Sequence, residues 1–180
     1  IAAALKNGET TSVALVTDCL ERIDRVNPDL NAVVSMAKDL ALKHAAKADA
    51  DSASGQATGP LHGIPMTIKD SLDTFDMITT WGTQGRQQFR PGKDAACVAR
   101  LRRAGAILVG KTNTPEFTLS FQTDNLLFGR TNNPFDLNRS SGGSSGGAAA
   151  LNASGAIPFD IGTDTGGSIR QPAALCGVVG

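Results

Sequence analysis

Lys69, the pair Ser144 and Ser145, and Ser168 are the residues of this chain whose types and surroundings best suit chemistry on a carbonyl group. Ser168 lies in Gly162-Thr163-Asp164-Thr165-Gly166-Gly167-Ser168-Ile169-Arg170, which should leave a strand, cross two glycines and enter a short helix. Consecutive backbone N–H groups beside a helix start can converge on a developing oxyanion, and a hydroxyl there is placed to attack. A plain N-cap serine after a tight turn explains the same segment. A base is then required. Lysine titrates near pH 10.4 when free, and burial can lower that by up to about 3–5 units, so a desolvated lysine can take a proton near neutrality. Lys69 follows Pro65-Met66-Thr67-Ile68 at the expected mouth of a strand. A salt bridge to the adjacent Asp70 is the alternative. Ser144 and Ser145, flanked by glycines, each offer a relay hydroxyl, although Gly-Gly-Ser-Ser-Gly-Gly also reads as a flexible linker.

Two familiar patterns are set aside. Gly105 to Thr112 fits a phosphate-binding loop, but its variable positions are the apolar residues of a strand. Gly142-Gly143-Ser144-Ser145-Gly146 fits a nucleophile elbow, yet Asp136–Ser141 before it is too polar for the buried strand that motif needs. A histidine base is poorly supplied: His44 sits on an apolar helix face and His62 in a loop, and both read as structural.

The elements that must position these residues follow from periodicity. Val13, Val16, Leu20, Ile23 and Val26 form a helical stripe expected to end at Asn27-Pro28. Residues 32–36 read as a strand, 37–48 as an alanine-rich helix running to a linker at 52–59, and 64–68 as a strand. Asp94 should cap a helix through Ala104, followed by a strand at 106–109. Residues 148–153 suggest a helix, 157–161 a strand and 168–175 a short helix. This alternation predicts an α/β fold with a mixed, partly parallel central sheet covered by helices.

Composition narrows the setting. The 180 residues carry 17 Lys+Arg against 17 Asp+Glu, a balance that excludes a polyanion-binding surface, so no nucleic-acid partner is expected. No run reaches the roughly 18 apolar residues of a membrane span. Cys19, Cys97 and Cys176 are too far apart for a CxxC site, and an odd number of thiols fits a reducing, cytoplasmic compartment. Ile1, in helix-like sequence without Met, and the apolar Gly177–Gly180 are expected to be interior positions of a longer chain.

Taken together the segments resemble the amidase signature family. The resemblance rests on Gly142–Gly147, on Gly162 through Ala173, on Cys176–Gly180, and on the blocks Gly63–Asp70 and Gly110–Phe117, so it covers almost the whole chain. It implies that Lys69 is the base, Ser144 the bridging serine after a cis Gly143–Ser144 bond, and Ser168 the acylated nucleophile. The spacing of the three agrees with fatty acid amide hydrolase, a family member. It further implies that Thr165, Gly166, Gly167 and Ser168 supply oxyanion N–H groups, that the Thr118 backbone lines the acyl pocket, and that Asp164 and Arg170 brace the loop. The expected reaction is hydrolysis of a small-molecule amide to an acid and ammonia or an amine. No metal or organic cofactor is expected, and a homodimer is allowed. On this reading residues 1–180 are the N-terminal part of one signature domain. Two alternatives stand beside the amidase: the glutaminase component of a glutamyl-tRNA amidotransferase, and a non-catalytic scaffold. Thr114-Pro115-Glu116-Phe117, where that glutaminase usually carries Met-Asp-Glu-Phe, favours a stand-alone amidase.

Overall fold

The computed structural model describes residues 1–180. Its helices are α1 (Ala2–Lys6), α2 (Ser12–Leu30), α3 (Lys38–Ala53), α4 (Ala96–Arg103), α5 (Gly146–Ala153) and α6 (Arg170–Cys176). The strands are β1 (Val33–Met36), β2 (Pro65–Lys69), β3 (Ile107–Thr112), β4 (Asn132–Asn133), β5 (Asp136–Ser140) and β6 (Asp160–Ile161). A four-stranded sheet has the order β1-β3-β2-β6, with β1 antiparallel to β3 and the remaining pairs parallel. The mixed, partly parallel sheet expected from the sequence is therefore present.

Both faces of this sheet are covered. On one, α2, α3 and α5 enclose a core that includes Val16, Leu20, Ile23, Ile107, Val109 and Leu151. Ala41, Ala45 and Ala48 are buried one turn apart on α3, and their small side chains let that helix lie close to the sheet. On the other face Met66, Ile68 and Leu108 pack with Val98 of α4 and with Met77. Strand residues alternate between these faces, so neighbours in sequence enter different environments.

That alternation separates two buried lysines. The β2–β3 register shifts between Met66 and Thr67, pairing Met66 with Leu108 but Thr67 with Gly110, a bulge at Val109. Beyond it Lys69 pairs with Thr112, and Ile68 pairs with Lys111. Lys111 thus shares a face with Asp70. Their side chains form a fully buried ion pair at 3.2 Å, with Lys111 Nζ also donating to the Leu72 and Ile78 carbonyls and to Thr79 Oγ1. Thr80 donates to Asp70 through both its N–H and its hydroxyl. Burial pushes the Asp70 carboxyl up and the Lys111 ammonium down, while their mutual attraction opposes both shifts.

Several boundaries differ from the sequence-based expectations, β3 running on to Thr112 and α3 to Ala53, and three of the differences have a clear local cause. Pro28 does not end α2, which runs to Leu30 and closes with Asn31 in the left-handed conformation. Helical Asn27 is held by tertiary bonds: its Oδ1 accepts from the Ala32 and Val33 N–H groups, and its Nδ2 donates to the Val33 carbonyl. These outweigh the single helical hydrogen bond that proline removes. Asp94 does not cap α4, whose N-cap is Ala95; it accepts from Phe75 N–H and pairs with Arg102 at 3.1 Å. The strand expected over 157–161 is only Asp160–Ile161, because Pro158 can donate no ladder bond.

Replacing Lys111 by Met should destabilise the fold by about 3–5 kcal/mol, since it leaves Asp70 buried without its cation. Chemical denaturation should show part of that loss recovered in the Asp70→Asn/Lys111→Met double variant.

Candidate active site

Lys69 is the last residue of β2, and the loop 162–169 leaves the adjacent parallel strand β6, so both arrive at the carboxyl edge of the sheet. The Lys69 side chain is completely buried, and it does not pair with Asp70, which faces the other way. Lys69 Nζ instead donates to Ser144 Oγ at 2.7 Å and to Thr163 Oγ1 at 3.0 Å, and it forms no ion pair. Burial pulls its pKa down to about 8, against the opposing pull of the Asp160 and Asp164 carboxylates. At that value about a tenth is the free amine at pH 7 and about half at pH 8, and a free amine can accept a proton from Ser144.

The segment carrying Ser144 is set by close backbone approach. The Gly143–Ser144 bond is cis. A side chain at position 143 would stand 2.9 Å from backbone atoms of Ser120, Phe121 and Gln122, and one at 147 would stand 2.5 Å from Asn113 N, so only glycine fits either place. Gly143 N–H donates to Gln171 Oε1 at 2.9 Å. Thr123 Oγ1 donates to the Gly142 carbonyl and accepts from Gly146 N–H. The flexible-linker reading therefore fails: residues 141–150 are all buried.

The structure separates the roles of the two adjacent serines. Ser144 meets the lysine, whereas Ser145 ties the segment to the loop 162–169. Ser145 Oγ donates to the Thr163 carbonyl at 3.3 Å, and Ser145 N–H donates to the Ser168 carbonyl at 3.0 Å. Ser168 is half-buried and precedes α6, with Ile169 at the N-cap position, so the N-cap alternative for Ser168 also fails. Its hydroxyl makes no hydrogen bond in this structure, and the Ser144 and Ser168 hydroxyls are not bonded to each other.

Asp164 organises the loop. Its carboxylate accepts from the N–H groups of Gly167 at 2.7 Å, Ile169 at 3.0 Å and Arg170 at 3.2 Å, and forms a two-point pair with the Arg170 guanidinium. The Arg170 pair and these N–H donors hold the carboxyl far below the usual carboxylate range. One expectation changes as a result. Gly167 N–H is consumed by Asp164, whereas the N–H groups of Thr165, Gly166 and Ser168 have no acceptor within the chain. Thr118 is half-buried in the turn Glu116–Thr118, with Phe117 and Thr118 both at positive φ. Phe121, three residues on, reaches to within 3.8 Å of a Cβ built on Gly167, which puts this segment beside the loop.

Sequence reasoning missed Thr163, Gln171 and Asp160. Thr163 lies inside the glycine-rich stretch but was overshadowed there by Asp164 and Ser168. Asp160 was the more legible, being a carboxylate at the end of an otherwise apolar run. Its Oδ2 accepts from Thr112 Oγ1 at 2.9 Å, and its Oδ1 is buried. Burial raises its pKa to about 6, against the opposing effect of the Thr67 and Thr112 hydroxyls and of Lys69. The two histidines lie away from Lys69: His62 is bonded through both ring nitrogens to Thr58, Ser52 and the Ala48 carbonyl, and His44 is half-buried on α3. No cluster of His, Cys, Asp or Glu side chains is arranged to hold a metal ion. The three cysteines are free thiols, and no helix is long and apolar enough to cross a membrane.

Replacing Asp164 by Ala should speed amide hydrogen exchange at Gly167, Ile169 and Arg170 by about tenfold or more, as each loses its acceptor. Exchange in β2 and β3, read in the same mass-spectrometric experiment, should be unchanged.

This geometry has relatives. The chain is 48% identical over 176 residues to the A component of the glutamyl-tRNA(Gln) amidotransferase of Rhodopirellula baltica, covering 98% of this chain and 35% of that one. It is 47% identical over 178 residues to the corresponding component of the Chloroflexus aurantiacus enzyme, covering 99% and 37%. Among solved structures it superposes on the native peptide amidase of Stenotrophomonas maltophilia with a TM-score of 0.89 at 40% identity, over 97% of this chain and 37% of that one. A bacterial aryl acylamidase of the amidase signature family gives a TM-score of 0.92 at 36% identity, over 97% and 36%. The chain thus spans little more than a third of the length of the proteins it matches. The amidase family model matches residues 14–180, and with that match the chain belongs to the amidase signature family.

Proposed function

We propose that this protein hydrolyses a carboxylic amide through an acyl-enzyme, with Ser168 as nucleophile, Ser144 as proton relay and Lys69 as base. The observation that carries the reading is the buried Lys69, without a carboxylate partner, at 2.7 Å from Ser144 Oγ. Ser168 Oγ attacks the amide carbon while its proton passes to Ser144, whose own proton passes to the Lys69 amine. The N–H groups of Thr165, Gly166 and Ser168 receive the oxyanion, Gly167 N–H being held by Asp164. The Lys69 ammonium then returns the proton through Ser144 to the nitrogen as the C–N bond breaks. Water repeats the sequence on the ester, releasing the acid. The Thr118 backbone lines the acyl side, and the substrate is a small-molecule amide. For this route the Ser144 and Ser168 hydroxyls must turn toward each other when substrate binds, as catalytic hydrogen bonds often tighten only in the complex.

A second reading is favoured by the glutamyl-tRNA(Gln) amidotransferase components to which the chain is 47–48% identical. In that reading the same three residues release ammonia from glutamine for a partner. Thr114-Pro115 in the block after Lys111 supports the stand-alone amidase instead. Assays on glutamine and on a panel of simple amides, with and without tRNA-dependent partner proteins, separate the two.

In the full-length protein a fluorophosphonate should label Ser168, identified by peptide mass spectrometry, and a non-catalytic scaffold should not label. Lys69→Ala and Ser168→Ala should each lower amide turnover by about a thousandfold or more; near-normal turnover in either sinks the assignment. Because Lys69 must be neutral to act, kcat/KM should rise with pH along a limb centred near pH 8.

A further inference from the structure

We propose that Asp160 is a positioning residue that sets the pH at which Lys69 becomes a base, acting through its charge on Lys69's side of the sheet; this rests on the reading of Lys69 as the base. The register supplies the geometry. Asp160 pairs with Thr67, two residues before Lys69 on the same strand face, and Thr112, which pairs with Lys69, donates to Asp160 Oδ2 at 2.9 Å. Thr67, Lys69, Thr112 and Asp160 therefore form one polar layer against a face that is otherwise apolar. Within it the buried Thr67 hydroxyl adds to the Thr112 bond in favouring the Asp160 carboxylate. Asp160 is anchored by Thr112 rather than by an ion pair with Lys69, so its charge acts at a distance and leaves the Lys69 amine free for Ser144.

The other charged groups around Lys69 are already committed. Asp164, on the loop after β6, is tied to Arg170 and three backbone N–H groups. On the opposite face Asp70, just after β2, and Lys111 of β3 neutralise each other. Helix α2 buries only the neutral Cys19 thiol among its titratable side chains, and α5 has no titratable side chain. Asp160 is the one carboxylate of the layer without a cation of its own. Its negative charge favours the Lys69 ammonium and so opposes the desolvation that favours the amine. Removing that charge should make Lys69 a base at lower pH, and a weaker one.

The test is the pH dependence of the second-order rate of fluorophosphonate labelling at Ser168 in the full-length protein, a readout that needs no known substrate. Asp160→Asn keeps the size and the acceptor for Thr112 but removes the charge, and its limb should move down by about one pH unit. Asp160→Glu, which keeps the charge, should leave the limb close to that of the wild type. Asp160→Ala, which asks for no hydrogen bond, carries the comparison if Asp160→Asn does not fold. A limb that stays in place while only the rate falls would overturn the proposal and leave Asp160 a purely structural role. The parent reading fails separately, by wild-type labelling in Lys69→Ala.

Discussion

The site depends on a lysine taken out of water without a counter-ion. Desolvating an ammonium is costly, and burial here lowers the Lys69 pKa to about 8, which brings its neutral form within reach of mildly alkaline pH. Everything in contact with Lys69 preserves the condition. Its acceptors are the neutral hydroxyls of Ser144 and Thr163, the adjacent Asp70 is directed to the opposite face, and Asp164 is occupied by Arg170. Lys111 shows the other outcome. Equally buried and on the neighbouring strand, it meets a carboxylate and two carbonyls and serves as a structural cation.

The serines are held by a different kind of constraint, which is backbone against backbone. Glycines at 143 and 147 let the segment before α5 press against residues 120–122 and Asn113, and no side chain could occupy those positions. Gly143 N–H, donating to Gln171 Oε1, then connects that segment to α6, Ser145 Oγ, donating to the Thr163 carbonyl, connects it to the loop 162–169, and Gly146 N–H, donating to Thr123 Oγ1, fastens it to the stretch around Thr123. The rigid part of the site is therefore its frame. The Ser168 hydroxyl, and the N–H groups of Thr165, Gly166 and Ser168, remain uncommitted and open to a ligand.

Much of this was legible in the sequence. Periodicity gave the large helices and the sheet, because α2 and α3 bury regular apolar stripes. Lys69 stood out in the sequence as a lysine at the expected mouth of a strand, and Ser144 and Ser168 by their glycine-rich settings, and the family resemblance joined the three. What escaped was set by contacts distant in sequence. The continuation of α2 through Pro28 depends on Asn27 gripping β1, and Asp94 forgoes its cap for Arg102. Likewise the engagement of Gly167 N–H depends on where the Asp164 carboxylate points. Asp160 carried a signal, a charge in an apolar run, whose meaning required the strand register.

The bulge at Val109 has a consequence for charge rather than for shape. Continued without it, the pairing of Pro65 with Ile107 would bring Lys69 opposite Lys111, on one face, with Asp70 opposite Thr112 on the other. Two buried ammonium groups would then lie side by side, and the carboxylate next to Lys69 in sequence would be turned from both. One extra residue in β3 sorts the pair into separate compartments, one holding a carboxylate and one lined by hydroxyls. The count of residues between Leu108 and Gly110 thereby decides which lysine of this protein meets a carboxylate and which meets hydroxyls.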